Sequence, residues 1–124
     1  MENDRELLEL AAKAAGVKYS VRDDEYYKTH KFFGLWIVYD YEPSEYTRRY
    51  WNPLTDDGDA LRLAVKLSFC HTQWFNHDPP DVMIGYKTPD GKGHNWIEDH
   101  NGDPEAATRL AITRAAAEVG RAME

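Results

Sequence analysis

The chain has 124 residues, enough to bury a hydrophobic core without a metal or a disulfide and few enough for one domain, so we predict a single domain over residues 1–124. Its net charge of −7 argues against direct binding to nucleic acid or to an anionic membrane. The single cysteine, Cys70, excludes an intramolecular disulfide, and we expect it to be reduced, in or near the core, in a cytoplasmic protein.

The first half of the chain predicts a helix followed by strands. A helix is expected over about residues 4–15, because Asn3 can cap its first turn and Gly16 is a natural C-terminal stop. Apolar and polar residues alternate over residues 17–22, as in a short edge strand. Residues 32–41 are apolar on both faces, which predicts a central strand covered on both sides.

The segment from Trp51 to Leu67 predicts an extended stretch that turns into a second helix. Pro53 disfavours a helical conformation at Asn52, and Thr55 or Asp56 can cap the helix that follows. Three acidic residues meet the positive end of the helix dipole in the first turn: Asp56, Asp57 and Asp59. This role explains them without a bound cation. The apolar stripe expected to face the core is Ala60, Leu63, Ala64 and Leu67, widened by Leu61 and Val65.

The second half predicts three strands and a last helix. Strands are expected at residues 68–75 and 81–86, and a hairpin turn at residues 88–93 leads to a returning strand at 94–98. Asp103 can cap the final helix, which has proline at its first position. The order predicts an α+β fold with three helices and a mostly antiparallel or mixed sheet of about four to five strands.

Three sequence blocks occur in order: residues 4–16 (DRELLELAAKAAG), residues 51–67 (WNPLTDDGDALRLAVKL) and residues 106–120 (AATRLAITRAAAEVG). Together they resemble small phage and prophage proteins that carry the phage ABA sandwich domain. The resemblance implies an alpha-beta-alpha sandwich, a phage or prophage source and a bacterial host cytoplasm. It implies no catalytic residue. The chain departs from the family pattern at residues 39–50 and 70–100, where we expect its individual function.

An aromatic and charged insert is the candidate partner-binding surface. It combines Tyr, Trp and Arg, the residue types of interface hot spots, with carboxylates. Its members are Tyr41, Glu42, Glu45, Tyr46, Arg48, Arg49, Tyr50 and Trp51. The alternative is a loop that folds back onto the sheet and contacts no partner.

A second candidate is a metal site. His94, Glu98 and His100 share one face if residues 94–100 are extended, and such ligands suit zinc or another transition metal. The alternative is a solvated polar face, since no ligand-spacing motif supports the site. Cys70 and His71 point to opposite faces of a strand and cannot form a nucleophile–base pair. No phosphate-binding loop motif is present, and we expect no cofactor.

Size, charge and the phage resemblance favour a non-enzymatic binding protein that docks on a host or phage protein. One version inhibits a bacterial defence complex, as anti-CRISPR proteins do, by presenting carboxylates to a basic nucleic-acid-binding partner. Two alternatives stay open. One is a metal-dependent enzyme or metal-binding protein that uses the His94–His100 face. The other is a self-assembling structural phage protein whose aromatic insert forms a homodimer.

Overall fold

A computed structural model describes residues 3–17, 19–20, 35–37 and 49–123. These ranges contain the helices α1 (Asp4–Ala15), α2 (Asp57–Lys66) and α3 (Pro104–Ala122), and the strands β1 (Tyr19–Ser20), β2 (Leu35–Ile37), β3 (Arg49–Trp51), β4 (Cys70–Trp74), β5 (Asp81–Lys87) and β6 (Gly93–Asp99). The three predicted helices and the α+β class are confirmed. Over the same ranges, none of the helices has the length and apolar character needed to cross a membrane.

The ends of the helices follow the local signals in the sequence. The side chains of Asn3, Asp56 and Asp103 each accept a hydrogen bond from the backbone N–H three residues later. These bonds satisfy donors that a helix start leaves unpaired. Gly16 ends α1 in the left-handed conformation, with φ of 67°, which glycine adopts at no steric cost.

The strands form two three-stranded antiparallel sheets, ordered β1-β2-β3 and β4-β5-β6. The prediction of one sheet of four to five strands is therefore wrong. Each sheet pairs strands that follow one another along the chain, and α2 lies between the two sets in sequence. The predicted central strand at 32–41 is seen as residues 35–37, and its remaining residues lie outside the described ranges.

The core is built around α3. This helix packs on β5 and β6 and also contacts α1 and α2. Small residues let the helices approach closely, and a β-carbon placed on Gly120 would overlap the carbonyl oxygen of Leu10 in α1. On the sheet side, Val82 and Ile84 of β5 are fully buried. Alanine-rich helix faces and one strand of branched side chains thus make the core.

Side-chain alternation gives the β4–β6 sheet two different faces. The inner face, towards α3, carries Val82, Ile84 and their cross-strand neighbours on β4 and β6. On the outer face, Ile97 is 60% exposed. The second helical layer of an alpha-beta-alpha sandwich is thus not seen over this sheet within the described residues. Cys70 also lies on the outer face and is exposed, so its predicted place in or near the core is wrong.

Candidate binding groove

An open groove of about 350 Å³ lies between α2, β4 and the first half of α3. Its apolar lining includes Ala60, Leu61, Phe75 and Ile112, and its polar lining includes Asp57, His71, Gln73, Glu105, Thr108 and Arg109. Leu61, on α2, and Phe75, directly after β4, are 64% and 63% exposed. Two large apolar side chains from different parts of the chain are therefore presented to solvent in the lining of one concave surface.

The exposed wall of α2 arises from how that helix packs. Ala60 and Leu63 face the core and are buried, whereas Leu61 and Val65, one turn apart, face away from it. Val65 is 70% exposed. The expectation that Leu61 and Val65 widen the buried stripe is wrong, because α2 is covered along a single face by α3. The helix therefore presents an apolar ridge to solvent beside the groove.

A hydrogen-bonded network centred on Gln73 forms the polar part of the groove. The Gln73 amide donates from Nε2 to Thr108 Oγ1 and to His71 Nε2, the latter at 2.8 Å. Its Oε1 accepts from Nε2 of the buried His100 at 2.6 Å. Thr108 Oγ1 in turn donates to the carbonyl oxygen of Pro104 at 2.7 Å. With the amide in this orientation, His100 carries its proton on Nε2 and His71 Nε2 is unprotonated.

Within this network, the side-chain donors of Gln73 and Thr108 are already engaged in hydrogen bonds to other protein groups. Both amide protons of Gln73 are donated within it, and the proton of the Thr108 hydroxyl goes to the backbone. The Phe75 ring lies 5.2 Å from the His100 ring and covers it. The arrangement fixes the shape and polarity of the groove, and it contains no pairing of a nucleophile with a base. It suits recognition of a bound group.

The mouth of the groove is acidic. Asp57 and Glu105, from the first turns of α2 and α3, line it together with Arg109. Arg109 is engaged, because Nη1 donates to Asp57 Oδ1 at 2.6 Å and Nε donates to the Leu54 carbonyl at 3.0 Å. Glu105 makes no ion pair within the ranges that the structure covers. The guanidinium is thus neutralised by Asp57, and Glu105 leaves the mouth with a negative charge.

The predicted partner-binding insert is largely outside the described residues. The members of the insert that lie outside the described residues are Tyr41, Glu42, Glu45, Tyr46 and Arg48. Arg49 and Tyr50 belong to β3, whose backbone pairs with β2. Trp51 is 4% exposed and packs in the core, so it is a structural residue rather than a surface anchor.

The three metal candidates have separate partners. His94 Nε2 lies 3.1 Å from Thr88 Oγ1 in the hairpin turn, and Glu98 pairs with Arg114 of α3. His100 is buried in the network around Gln73. Within the part of the chain that the structure covers, no group of three or more His, Cys, Asp or Glu side chains is placed to hold a metal ion.

Several groove residues were missed from the sequence. His71 and Gln73 are spaced two apart, which is the signal that β4 places them on one side, and Phe75 follows at the same spacing just past the end of the strand. The partners of these side chains on α2 and α3 follow from tertiary packing, which no local pattern indicates. The exposure of Leu61 likewise depends on which face of α2 is covered.

No protein-family model, curated protein or solved structure matches this chain. The resemblance to phage ABA sandwich proteins therefore stays a prediction.

Proposed function

We propose that this chain is a binding protein whose groove holds an apolar anchor of a partner protein. The observation that carries the proposal is the pair Leu61 and Phe75, both well exposed in the lining of one concave surface. Exposed apolar surface of this kind is typical of interaction sites. A volume of about 350 Å³ is at the low end of the range of ~300–1,000 Å³ for ligand pockets, and suits one or two inserted side chains.

The charge of the chain supports a basic partner. The net charge is −7, and the mouth of the groove carries the carboxylate of Glu105 beside the Asp57–Arg109 pair. Carboxylates around an apolar anchor site favour a partner segment with lysine or arginine next to its anchor. Such attraction speeds association and weakens as salt screens it.

The phage resemblance suggests where such a partner is found. We propose a host or phage protein in the cytoplasm of a bacterial host, with inhibition of a basic, nucleic-acid-binding defence complex as the specific version. Residues 41–50 are proposed as a second contact region on the strength of their Tyr, Arg and Glu content. Trp51 is not part of it.

An affinity capture from bacterial lysate tests the proposal. The tagged chain should retain a basic protein at low salt and release it at high salt. Leu61→Ser and Phe75→Ser should each weaken binding about 30-fold or more, as loss of a hot-spot residue does. Met123→Ser, an exposed apolar residue at the end of α3, is the matched control and should bind like the wild type. Equal capture by Leu61→Ser and wild type would overturn the role of the groove.

A charge variant tests the acidic mouth separately. Glu105→Lys should lower capture at low salt, and the loss should be smaller at an intermediate salt concentration at which the wild type still retains the partner, because the contribution of Glu105 is electrostatic and exposed. A loss that is the same at both salt concentrations would contradict a basic partner at this site.

A further inference from the structure

The outer face of the β4–β6 sheet combines apolar and small residues in two neighbouring rows. The strand register places Thr72, Met83 and Ile97 side by side in a first row, and Cys70, Gly85 and Asn95 in a second. Ile97 is well exposed, as is Trp74 at the end of β4. An antiparallel sheet normally has polar side chains on a face that remains in water. Here the outward positions include the apolar side chains of Met83 and Ile97 and a glycine, Gly85.

The two rows differ in height. Met83 and Ile97 form a ridge, whereas the neighbouring row has a hollow at Gly85, which has no side chain. A β-carbon at Gly85 would lie 3.4 Å from Cys70 Cβ and 3.5 Å from Asn95 Oδ1, so these two residues form the walls of the hollow. A ridge beside a hollow of similar width is a shape that a second identical face can fill.

Charges of opposite sign lie at the two ends of this face. At one end Asp81 and Asp99 are directly opposite each other on β5 and β6, and His77 bonds to Asp81 at 3.2 Å. At the other end β5 finishes with Lys87, and Lys92 lies in the adjoining turn beside Asp90. Each end therefore complements the opposite end of an identical face.

We infer that the outer face binds a second copy of this chain, giving a symmetric homodimer with its two sheets packed face to face. A two-fold axis that lies between the two sheets and runs perpendicular to the strands sets the ridge of each copy against the hollow of the other. It also sets the carboxylates of each copy against the lysines of the other. A two-fold axis parallel to the strands would place the row that contains Asp81 and Asp99 against the same acidic row of the second copy. Charge and shape thus select the same arrangement.

The size of the face sets the expected strength of the dimer. Three strands of up to seven residues, ~4.8 Å apart with a rise of ~3.3 Å per residue, cover about 330 Å² on each copy, or about 670 Å² in total. That area is smaller than the ~1,200 Å² at the lower end of standard specific interfaces, so the dimer should be weak and concentration-dependent. The groove involves the inner side of β4, so one dimer presents two grooves and can bind a partner bivalently.

Sedimentation velocity over a range of concentrations, near 0.15 M salt so that the −7 charges are screened, tests the inference. The wild type should move from monomer to dimer as concentration rises. Ile97→Ser should raise the dissociation constant about ten-fold or more. Val65→Ser, a similarly exposed β-branched residue on α2, is the control and should dimerise normally.

Gly85→Val separates the interface from the stability of the monomer. In the monomer the new β-carbon makes ordinary contacts and valine favours a strand, so thermal stability should be kept or raised. In the dimer the hollow is filled, so association should be lost. A Gly85→Val protein that dimerises like the wild type would overturn the inference.

A charge exchange tests the direction of the two-fold axis. Asp99→Lys and Lys87→Asp should each weaken self-association, because each places like charges across the interface. An equimolar mixture of the two variants should form a heterodimer more readily than either variant associates alone, since opposite charges then meet at both ends. No gain on mixing, or a wild type that is monomeric at every concentration, would overturn the proposed dimer.

Discussion

The carboxylate of Asp59 accepts a hydrogen bond at 3.0 Å from the backbone N–H of Asn52, seven positions earlier. Its other oxygen accepts from Arg62 Nη2 at 2.8 Å. Asp59 is 1% exposed, so this carboxylate is buried and satisfied by specific donors. The residues that follow β3 are thereby tied to the first turn of α2, which positions one wall of the groove.

Replacing Asp59 should destabilise the protein more than replacing Asp57. Asp59→Ala leaves the buried backbone N–H of Asn52 without this acceptor and removes the 2.8 Å ion pair with Arg62, which keeps a longer one, at 3.8 Å, with Asp56. The change should lower the free energy of unfolding by about 2–3 kcal/mol. Asp57→Ala, in the same helical turn but with a side chain 78% exposed, should cost less than about 1 kcal/mol. Urea unfolding of both variants measures the difference, and equal losses would contradict the structural role of Asp59.

Replacement by alanine should be costly at one helical glycine, Gly120, and nearly neutral at another, Gly58. At Gly120 the new methyl group collides with the backbone of Leu10, so α1 and α3 must separate, at a cost of about 3 kcal/mol. At Gly58 the nearest atoms belong to the flexible guanidinium of Arg62, at 3.1 Å, and the gain in helix propensity offsets its displacement. We expect a change within about 1 kcal/mol there. Thermal denaturation of the two variants compares them, and similar melting temperatures would argue against close packing of α1 on α3.

Local signals predicted the helices well, because caps and stops act within a few residues. Residue type and spacing alone predict Asn3 and Asp103 as caps and offer Thr55 or Asp56 for α2; the structure has Asn3, Asp56 and Asp103 as the caps. The sequence assigned Asp59 to the same class as Asp57, a dipole effect, because both lie in the first turn. Only the position of Asn52 in space shows that Asp59 is the buried one.

Long-range packing explains what the sequence did not predict. The number of strands in a sheet depends on which strands pair, and periodicity does not encode pairing. The groove depends on the placement of β4 beside α2 and α3, so Gln73 gave no signal of its central role. Leu61 and Leu63 are the same residue type on one helix, and tertiary packing, to which α3 contributes, decides which of them is buried.

The network around Gln73 should be important for stability. Gln73→Met keeps the length of the side chain but leaves the Nε2–H of the buried His100 without its hydrogen-bond acceptor. The loss should lower the free energy of unfolding by about 1–3 kcal/mol. Thr72→Val, the next residue along β4 on the outer face, is the control and should change stability by less than about 1 kcal/mol. A hydrogen-bonded imidazole proton, visible by NMR in the wild type, should disappear in Gln73→Met. Its persistence would contradict the assigned bond.

The phenol of Tyr86 should make stability depend on alkaline pH. Burial raises the pKa of Tyr86 above its ordinary value of 10.0, and the nearby Glu118 carboxylate raises it further. Because the folded state holds the phenolic proton more tightly than the unfolded state does, this contribution is present in full below about pH 10. It is lost as pH rises through the higher pKa of the folded protein.

Tyr86→Phe isolates this effect. Phenylalanine keeps a ring for the edge contact with Phe69 and the stack on His94, and removes only the ionisable group. The difference in unfolding free energy between wild type and variant should be constant from about pH 8 to about pH 10, and should then shift against the wild type as pH rises further. Glu118→Gln should make that shift smaller, because it removes the second cause and leaves burial in place. Lysines and the other tyrosines titrate in both proteins, so their effects cancel in the difference. A difference that does not change with pH would show that the Tyr86 phenol ionises equally in the folded and unfolded chains.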